Sequence, residues 1–497
     1  MRFLVRLKRS RLVAFRRRRY TDARRAYYKN FAGKFVSAEH KVSIVIPCYN
    51  TPPKYFEPLL ASVYAQTHEN WELVLADASD SKESSQYIKQ KSFADTRIKY
   101  IKIKNKGIAA NTNEAINEAT GVFISFMDHD DTLDPNALAE TVDLFESYPE
   151  LTIVYTDEDK ITDDGSEYFD PFYKPGFSLD TLRNVNYINH LTTVRTKFLK
   201  DLGGIREGFD GAQDFDFLLR SVDAGAKFGH IQKVLYHWRV ADGSTAADFS
   251  NKKHITDAGR RALDDHYARN NLKNIKATVI ANRPGFYSAQ YSLYENVKRT
   301  IYLDFNDLNI SDVEKNEIIK LYKTNDSVVK NSINVKVGTP DKNEKGSFCV
   351  IRGVFVPSTK KTNIATLFAV AEESGVHGVS PKITRHGKIV DMGIINANDT
   401  AQKLFYGFNP TKPNQFGSIE WVRNVDDFTG KIVFKSQNAN DDGRKIIWTH
   451  EEFIALESSS WSKKIRPYDL YNNNLDQETE YLEKLDDHIS DLMEANK

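Results

Sequence analysis

Cysteine is scarce in this chain, with only Cys48 and Cys349 among 497 residues, so no disulfide framework is suggested and a reducing cytoplasm fits. Long apolar runs are absent as well. No stretch of about 18 apolar residues occurs, and mean hydropathy is −0.53, which excludes a spanning helix. No apolar leader with a small-residue cleavage site opens the chain, so a cytoplasmic protein is expected. The turn after the first apolar run, Pro47-Cys48-Tyr49-Asn50-Thr51-Pro52, has neither glycine nor lysine. That argues against the triphosphate-cradling loop of a sugar nucleotidyltransferase. Acidic residues are nearly missing from the first 41 positions, where Asp22 and Glu39 stand against a crowd of arginines and lysines, Arg16-Arg17-Arg18-Arg19 among them.

That last imbalance is hidden by a net charge of +1, so the remainder of the chain is acidic on balance. Phe3, Leu4, Leu7, Ala14 and Phe15 can share one helical face. A basic amphipathic stretch of this kind suits an anionic membrane surface, and residues 1–30 are the expected contact. A solvated tail and a nucleic-acid patch are the alternatives. Apolar content of 40% over this length is enough for at least two domains.

From Lys41 the pattern alternates between strand and helix. Val42 to Ile46 reads as a buried parallel strand, Trp71 to Ala76 as a second and Ile98 to Ile103 as a third. Ile108 to Ala119 reads as a helix, Gly121 to Met127 as a strand, and Leu151 to Tyr155 as another. A long loop is expected from there to about Asp180. A helix is expected near Asp214 and a strand from Phe228 to Trp238. Such alternation implies right-handed crossovers and a mostly parallel, doubly wound α/β sheet, with ligands beyond the carboxyl ends of the strands. The second half echoes the layout from Phe348 to Ile383, where Gly353-Val354-Phe355 stands in place of an acidic cluster. The expected parts are a tail over 1–40, a first domain over 41–281, a diverged second copy over 282–460 and a polar tail over 461–497.

Three constellations carry chemistry. Asp128-His129-Asp130-Asp131 follows a strand directly, where carboxylates can hold a hard divalent cation, Mn²⁺ or Mg²⁺, that bridges two phosphates. An acidic helix start, with Asp134 as its cap, is the alternative. Gly208-Phe209-Asp210-Gly211-Ala212-Gln213-Asp214-Phe215-Asp216 offers a carboxylate able to take a proton from a sugar hydroxyl. Asp214 and Asp216 are two apart on a helix, so they do not face the same way and one could serve the site; the alternative is that both merely favour the helix dipole. Tyr236-His237-Trp238-Arg239 ends a strand. His237 and Arg239 could contact a pyrophosphate, with Gly243-Ser244-Thr245 as part of a lid, or His237 could be a packed core histidine.

Together these motifs resemble glycosyltransferase family 2 and its GT-A fold, over roughly residues 41 to 270. Val42 to Asn50 looks like the family's first strand and nucleoside-contacting turn, which implies nucleotide contacts from Pro47, Tyr49 and Asn50. Trp71 to Ser79 looks like its second strand, and Asp77 matches an aspartate that bonds the base; Ala76 and Ala78 depart from the commoner Asp-Asp-Gly-Ser. Asp128, His129 and Asp130 match the DxD motif. The resemblance implies metal ligation by Asp130 and Asp128, with Asp128 also on the ribose. His237 joins the expected ligands and Arg239 the nucleotide contacts. Gln213-Asp214 falls where the family has Glu-Asp, so Asp214 is the implied base. Tyr155-Thr156-Asp157-Glu158-Asp159-Lys160 is similar to polysaccharide-assembling members. It brings Asp157, Glu158 and Asp159, with Gln213 and Asp131, into the expected sugar and acceptor contacts. The implied reaction is an inverting transfer from a UDP- or dTDP-sugar to a glycan or lipid-linked acceptor, with no nucleic-acid partner. The second copy lacks the acidic cluster, so it is expected to serve acceptor binding or homo-oligomer formation. The Gln-x-x-Arg-Trp motif of processive membrane-embedded synthases is missing.

Overall fold

The run Val42–Cys48 forms β1 because its side chains find apolar partners on both faces of a sheet. Val42, Ile44 and Ile46 pack with Phe56, Leu59, Leu60 and Val63, while Val45 points the other way toward Ala109, Ala115 and Ile116. The computed structural model describes residues 14–28 except 16 and 27, residues 39–240, and residues 252–455 apart from 281–282, 307, 342–343, 387, 398–399, 404–422, 425–426, 437–438 and 440–443. The expected lid at Gly243-Ser244-Thr245, the apolar positions Phe3 to Leu7 and the tail over 461–497 lie outside the described residues.

The first unit begins with a helix over residues 17–26, α1. After β1 come α2 (Pro53–Tyr64), β2 (Trp71–Asp77), α3 (Lys82–Ser92), β3 (Ile98–Lys102), α4 (Ile108–Glu118), β4 (Phe123–Phe126), β5 (Thr132–Leu133) and α5 (Ala137–Ser147). They are followed by β6 (Ile153–Thr162), β7 (Tyr168–Phe172), α6 (Leu179–Leu182), β8 (Thr192–Arg195), α7 (Thr196–Asp201), α8 (Gln213–Asp223), β9 (Phe228–Val240) and α9 (Lys252–Arg269). The strand order is β3-β2-β1-β4-β8-β6-β9-β5, with β7 paired to β6. β3, β2, β1 and β4 run parallel, β8 is antiparallel to both its neighbours, and β6 and β9 are parallel again.

Two expectations change. The stretch read as a long loop to Asp180 instead holds the second half of β6 and the return strand β7. Asp157, Glu158 and Asp159 are buried there and each has a partner, so a strand tolerates them. Residues 17–28, expected to belong to a membrane-facing tail, pack into the first unit: Tyr20, Ala23 and Arg24 are buried, while Phe15, Arg18, Arg19 and Arg25 stay exposed.

A hairpin, Ile275–Val279 with Tyr287–Tyr291, leads into a second sheet. Its path runs Asn334–Val337, Arg299–Asp304, Ser347–Arg352, Ile432–Lys435, Val376–Arg385, Arg444–Ala455 and Phe355–Pro357. Strand by strand this repeats β2-β1-β4-β8-β6-β9-β5, in the same chain order and with the same parallel and antiparallel steps, with no counterpart of β3 among the described residues. Where β4 and β5 are joined by the acidic turn 127–131, the second sheet has only Gly353 and Val354. Where β8 and β9 enclose α7 and α8, it has only residues 436–443, too short for that pair of helices.

The units meet through buried charge. Arg183 donates to Glu373 Oε1 at 2.8 Å, Arg444 reaches Glu373 at 3.2 Å and Asp180 at 2.9 Å, and Asn424 donates to Asp180 at 2.7 Å.

Candidate functional site

The turn 127–131 lies at the carboxyl end of β4, in the crevice where open parallel sheets take ligands. Its carboxylates have different settings. Asp128 is half-exposed, with its carboxylate 3.6 Å from His190 Nε2, and its backbone N–H donates to the Tyr236 hydroxyl at 3.2 Å. Asp130 is partly buried, and that burial, reinforced by the charge of Asp128, pushes its carboxyl up against a smaller opposing effect from His129. Asp131 is fully buried; it accepts from the Tyr236 hydroxyl and, at 2.7 Å, from the Arg239 backbone N–H. Burial, with Asp130 and Asp128 nearby, raises its carboxyl well above the ordinary range.

Facing this turn is the first turn of α8. A cavity of about 710 Å³ is lined by Asp128, Asn189 and His190, by Asp210, Gln213 and Asp214, and by the apolar Val45, Pro47 and Phe126. Trp238, His254 and Ile255 also line it. Its size is that of a small-molecule site. Asp214 accepts from the Asn186 side chain at 2.9 Å and from the Phe215 N–H at 2.8 Å. Burial raises its carboxyl, the Phe215 N–H and His190 pull the other way, and Asp128 adds to the rise. A carboxyl shifted toward neutrality is a better base than a free one. Gln213 Oε1 accepts from the Gly211 N–H at 2.6 Å, fixing the entry to the helix. Asp210 caps α4 from a distance: its carboxylate accepts from the Ala109 N–H at 3.1 Å, above Gly107, whose φ is +99° and where an added Cβ would lie 2.6 Å from that carboxylate.

The residues expected to contact the nucleoside stand at or just beyond the ends of β1 and β2. Pro47 lines the cavity. Tyr49 is exposed with its hydroxyl on Asp80 at 2.8 Å. Asn50 adopts φ +50° and links the two strand ends, its N–H donating to Ser79 Oγ at 2.8 Å and its side chain accepting from the Ser81 N–H at 2.9 Å. Asp77 differs. It is fully buried, and its carboxylate takes the Ser79 N–H at 2.9 Å, the Tyr100 hydroxyl at 2.7 Å, Lys102 at 3.3 Å and the Ser85 hydroxyl. Those bonds outweigh burial and hold it below the usual carboxylate range. Asp77 therefore locks the ends of β2 and β3, and the open face of this corner belongs to Tyr49 and Asn50.

Other expected contacts have settings of their own. His237 is buried with both ring nitrogens engaged, Nδ1 on Asp159 and Nε2 on the Tyr28 hydroxyl, each at 2.5 Å, which does not suit a metal ligand. Arg239 is buried too. Its guanidinium donates to the carbonyls of Asp130 at 2.6 Å, Asp163 at 3.1 Å and Thr162 at 3.2 Å, so it braces the acidic turn from behind instead of facing a diphosphate. Asp157 takes the Lys174 N–H and His230, Glu158 takes Lys174 Nζ at 2.9 Å, and Asp159 takes His237. None of these three is among the cavity-lining residues.

Among the described residues no three carboxylate, imidazole or thiolate groups converge into a full metal cage. Asp128 and Asp130 form a partial donor set, with burial raising the Asp130 carboxyl. Such a pair fits a hard cation that completes its shell with water and phosphate oxygens.

The sequence did not single out Asn189, His190 or Asn186. They sit in a polar stretch, Asn184 to His190, that has no periodicity. The only signal there was a cluster of asparagines beside a histidine. Lys174 fixes this stretch, with Nζ donating to the Ile188 carbonyl at 2.6 Å and to the His190 carbonyl.

The strand order and the crevice at the strand ends define a GT-A-type α/β unit. Residues 43–203 match the family model Glycosyl transferase family 2, and this part of the chain is a glycosyltransferase family 2 domain. The chain is 39% identical over 256 residues to the uncharacterized protein y4gI of Sinorhizobium fredii, covering 51% of this chain and 28% of that one. It is 36% identical over 268 residues to the O-antigen biosynthesis protein RfbC of Myxococcus xanthus, covering 54% and 21%. The matches thus span about a quarter of those relatives. A solved structure of S. aureus TarS 1–349 with UDP-GlcNAc is similar at 18% identity and a TM-score of 0.38, over 46% of this chain and 66% of that one. No helix among the described residues is long and apolar enough to cross a membrane.

Proposed function

We propose that the first unit transfers a sugar from a nucleoside-diphosphate donor, UDP- or dTDP-linked, to a hydroxyl of a surface-polysaccharide acceptor, with inversion. One observation carries this: Asp128, just after β4, and Asp214, at the start of α8, line one cavity. Asp214 takes the acceptor proton, its carboxylate oriented by Asn186 on Oδ2 and by the Phe215 N–H on Oδ1. The acceptor oxygen attacks the anomeric carbon as the diphosphate departs from the opposite side. Asp130 and Asp128 would hold Mn²⁺ or Mg²⁺, which supplies charge neutralisation to the leaving diphosphate. His190, beside Asp128 and stacked 4.8 Å from Tyr236, is placed to reach the donor's phosphates or sugar. Positioning and preorganised charge provide most of the acceleration.

The second unit reads as a diverged copy without the acidic turn or the base-bearing helix, left to bind acceptor or to form homo-oligomers. Membrane contact, if the acceptor is lipid-linked at the inner face of the cell membrane, falls to residues 1–13 and the exposed Phe15, Arg18, Arg19 and Arg25. Calorimetry with UDP, with and without Mn²⁺, tests the central claim, and a donor panel scored by sugar-nucleotide hydrolysis follows. Metal-dependent UDP binding that disappears in Asp130→Asn is expected; equal binding by that variant overturns the assignment.

A further inference from the structure

The helix α1 lies against the back of the acidic turn, and its buried face is a set of polar side chains instead of an apolar stripe. Arg24, 2% exposed, stands 3.5 Å from Asp134 and 3.5 Å from Asp159, and donates to the Val234 carbonyl at 3.2 Å. Tyr20 donates its hydroxyl to Asp159 at 2.7 Å. Just after the helix, Tyr28 places its hydroxyl 2.5 Å from His237 Nε2 and 3.4 Å from Asp134.

The two anchors of this arrangement hold the catalytic turn. Asp134 follows the acidic cluster within three residues. Its N–H donates to the Leu235 carbonyl at 3.0 Å and its carbonyl accepts from Gln66 at 2.8 Å, which ties the exit of the turn to β9 and to the segment just after α2. His237 pairs with Thr132 in the β5–β9 ladder and is followed by Trp238 on the cavity wall. Asp134 and Asp159 are both buried carboxylates in one neighbourhood. A shared guanidinium offsets their repulsion and holds the segment just after β5 to β6.

We propose that Arg24 and Tyr28 are positioning residues of the transferase site, setting the place of Asp128 and Asp130 through Asp134 and His237. This rests on the function argued above. It makes the basic N-terminal segment two-sided, with one face built into the catalytic unit and the other left outward.

The test uses the full chain with Tyr28→Phe, which keeps the ring and removes the hydroxyl, and Arg24→Lys, which keeps the charge and removes the fork. Three quantities are measured: the thermal midpoint, Mn²⁺ affinity at saturating UDP by electron paramagnetic resonance, and the line shape of the bound ion. The expected result is a Tyr28→Phe protein that stays folded at 25 °C but binds Mn²⁺ about ten-fold more weakly, with an altered line shape, and a larger loss in Arg24→Lys. Folded variants with wild-type Mn²⁺ affinity and line shape overturn the proposal, even if their midpoints fall, because that is the mark of a merely structural role. If the wild-type chain shows no Mn²⁺-dependent UDP binding, the functional reading itself fails and this inference goes with it.

Discussion

Asp214 and Asp216, two residues apart in the first turn of α8, serve opposite environments: Asp214 lines the cavity, and Asp216 is fully buried against Arg206 at 2.5 Å and Arg220 at 2.8 Å. Helix geometry separates the two, and each isosteric substitution should therefore have its own signature. Asp214→Asn is expected to lose on the order of a hundred- to ten-thousand-fold in kcat while keeping UDP affinity. Asp216→Asn leaves two arginines facing a neutral amide and should lose about 3 kcal/mol of stability, read from urea unfolding. Full turnover by Asp214→Asn removes it from the base role.

The raised Asp214 carboxyl gives a pH signature. Its folded pKa lies above the unfolded one, so its charged form opposes folding, and the cost appears as pH rises through the folded value. Activity should therefore climb with pH through that raised value. Asp214→Asn should unfold at an equal or higher temperature than wild type at pH 7, with the difference shrinking in acid. A variant less stable at pH 7 than at pH 4, relative to wild type, contradicts this.

Glu72 behaves in the opposite sense. Burial works against its charge, but bonds from the Ser43 hydroxyl at 2.6 Å, the Thr120 N–H at 2.6 Å and Lys99 at 2.9 Å pull its carboxyl down to about 2. The stability it contributes is complete above the unfolded value and fades as pH falls toward about 2. Glu72→Gln should cost about 1–3 kcal/mol at pH 7, and nothing near pH 2. Denaturant melts of both proteins across that range are the check.

At the junction of the two units, Glu373 accepts from Arg183 and Arg444 while nearly fully buried. Glu373→Ala strands Arg183 and should cost about 3–5 kcal/mol in unfolding. Since Arg183 follows α6 on the way to Asn189 and His190, the same variant should raise the KM for the donor. An unchanged KM would separate the junction from the site.

Much of the fold was legible because the parallel strands are buried on both faces and read as continuous apolar runs: Val42–Cys48 and Trp71–Asp77 fall within two residues of expectation. Strand β6 was cut short in the sequence, since Thr156 to Lys160 look like loop residues until Lys174, His230 and His237 are seen beside them. The site divides similarly. Asp128, Asp130, Gln213 and Asp214 were visible as motifs, and the structure brings Asp128, Gln213 and Asp214 to one cavity. His237, Arg239, Asp77 and the Asp157-Glu158-Asp159 run carried equally strong motifs, yet motif strength does not say whether a polar group faces a ligand or a neighbour. Tertiary partners decided that, and residues 17–28 supplied several of them from a segment whose charge alone suggested a free tail.

The distant cap on α4 also has a bearing on the order of folding. Asp210 lies 101 residues beyond Ala109, whose N–H it receives, so a nascent chain that has produced only the first four strands leaves that helix end exposed to water. The helix end is therefore closed only once residue 210 has been made, and a ribosome-stalled fragment ending before residue 210 should fray at α4 while β1 and β2 are already paired.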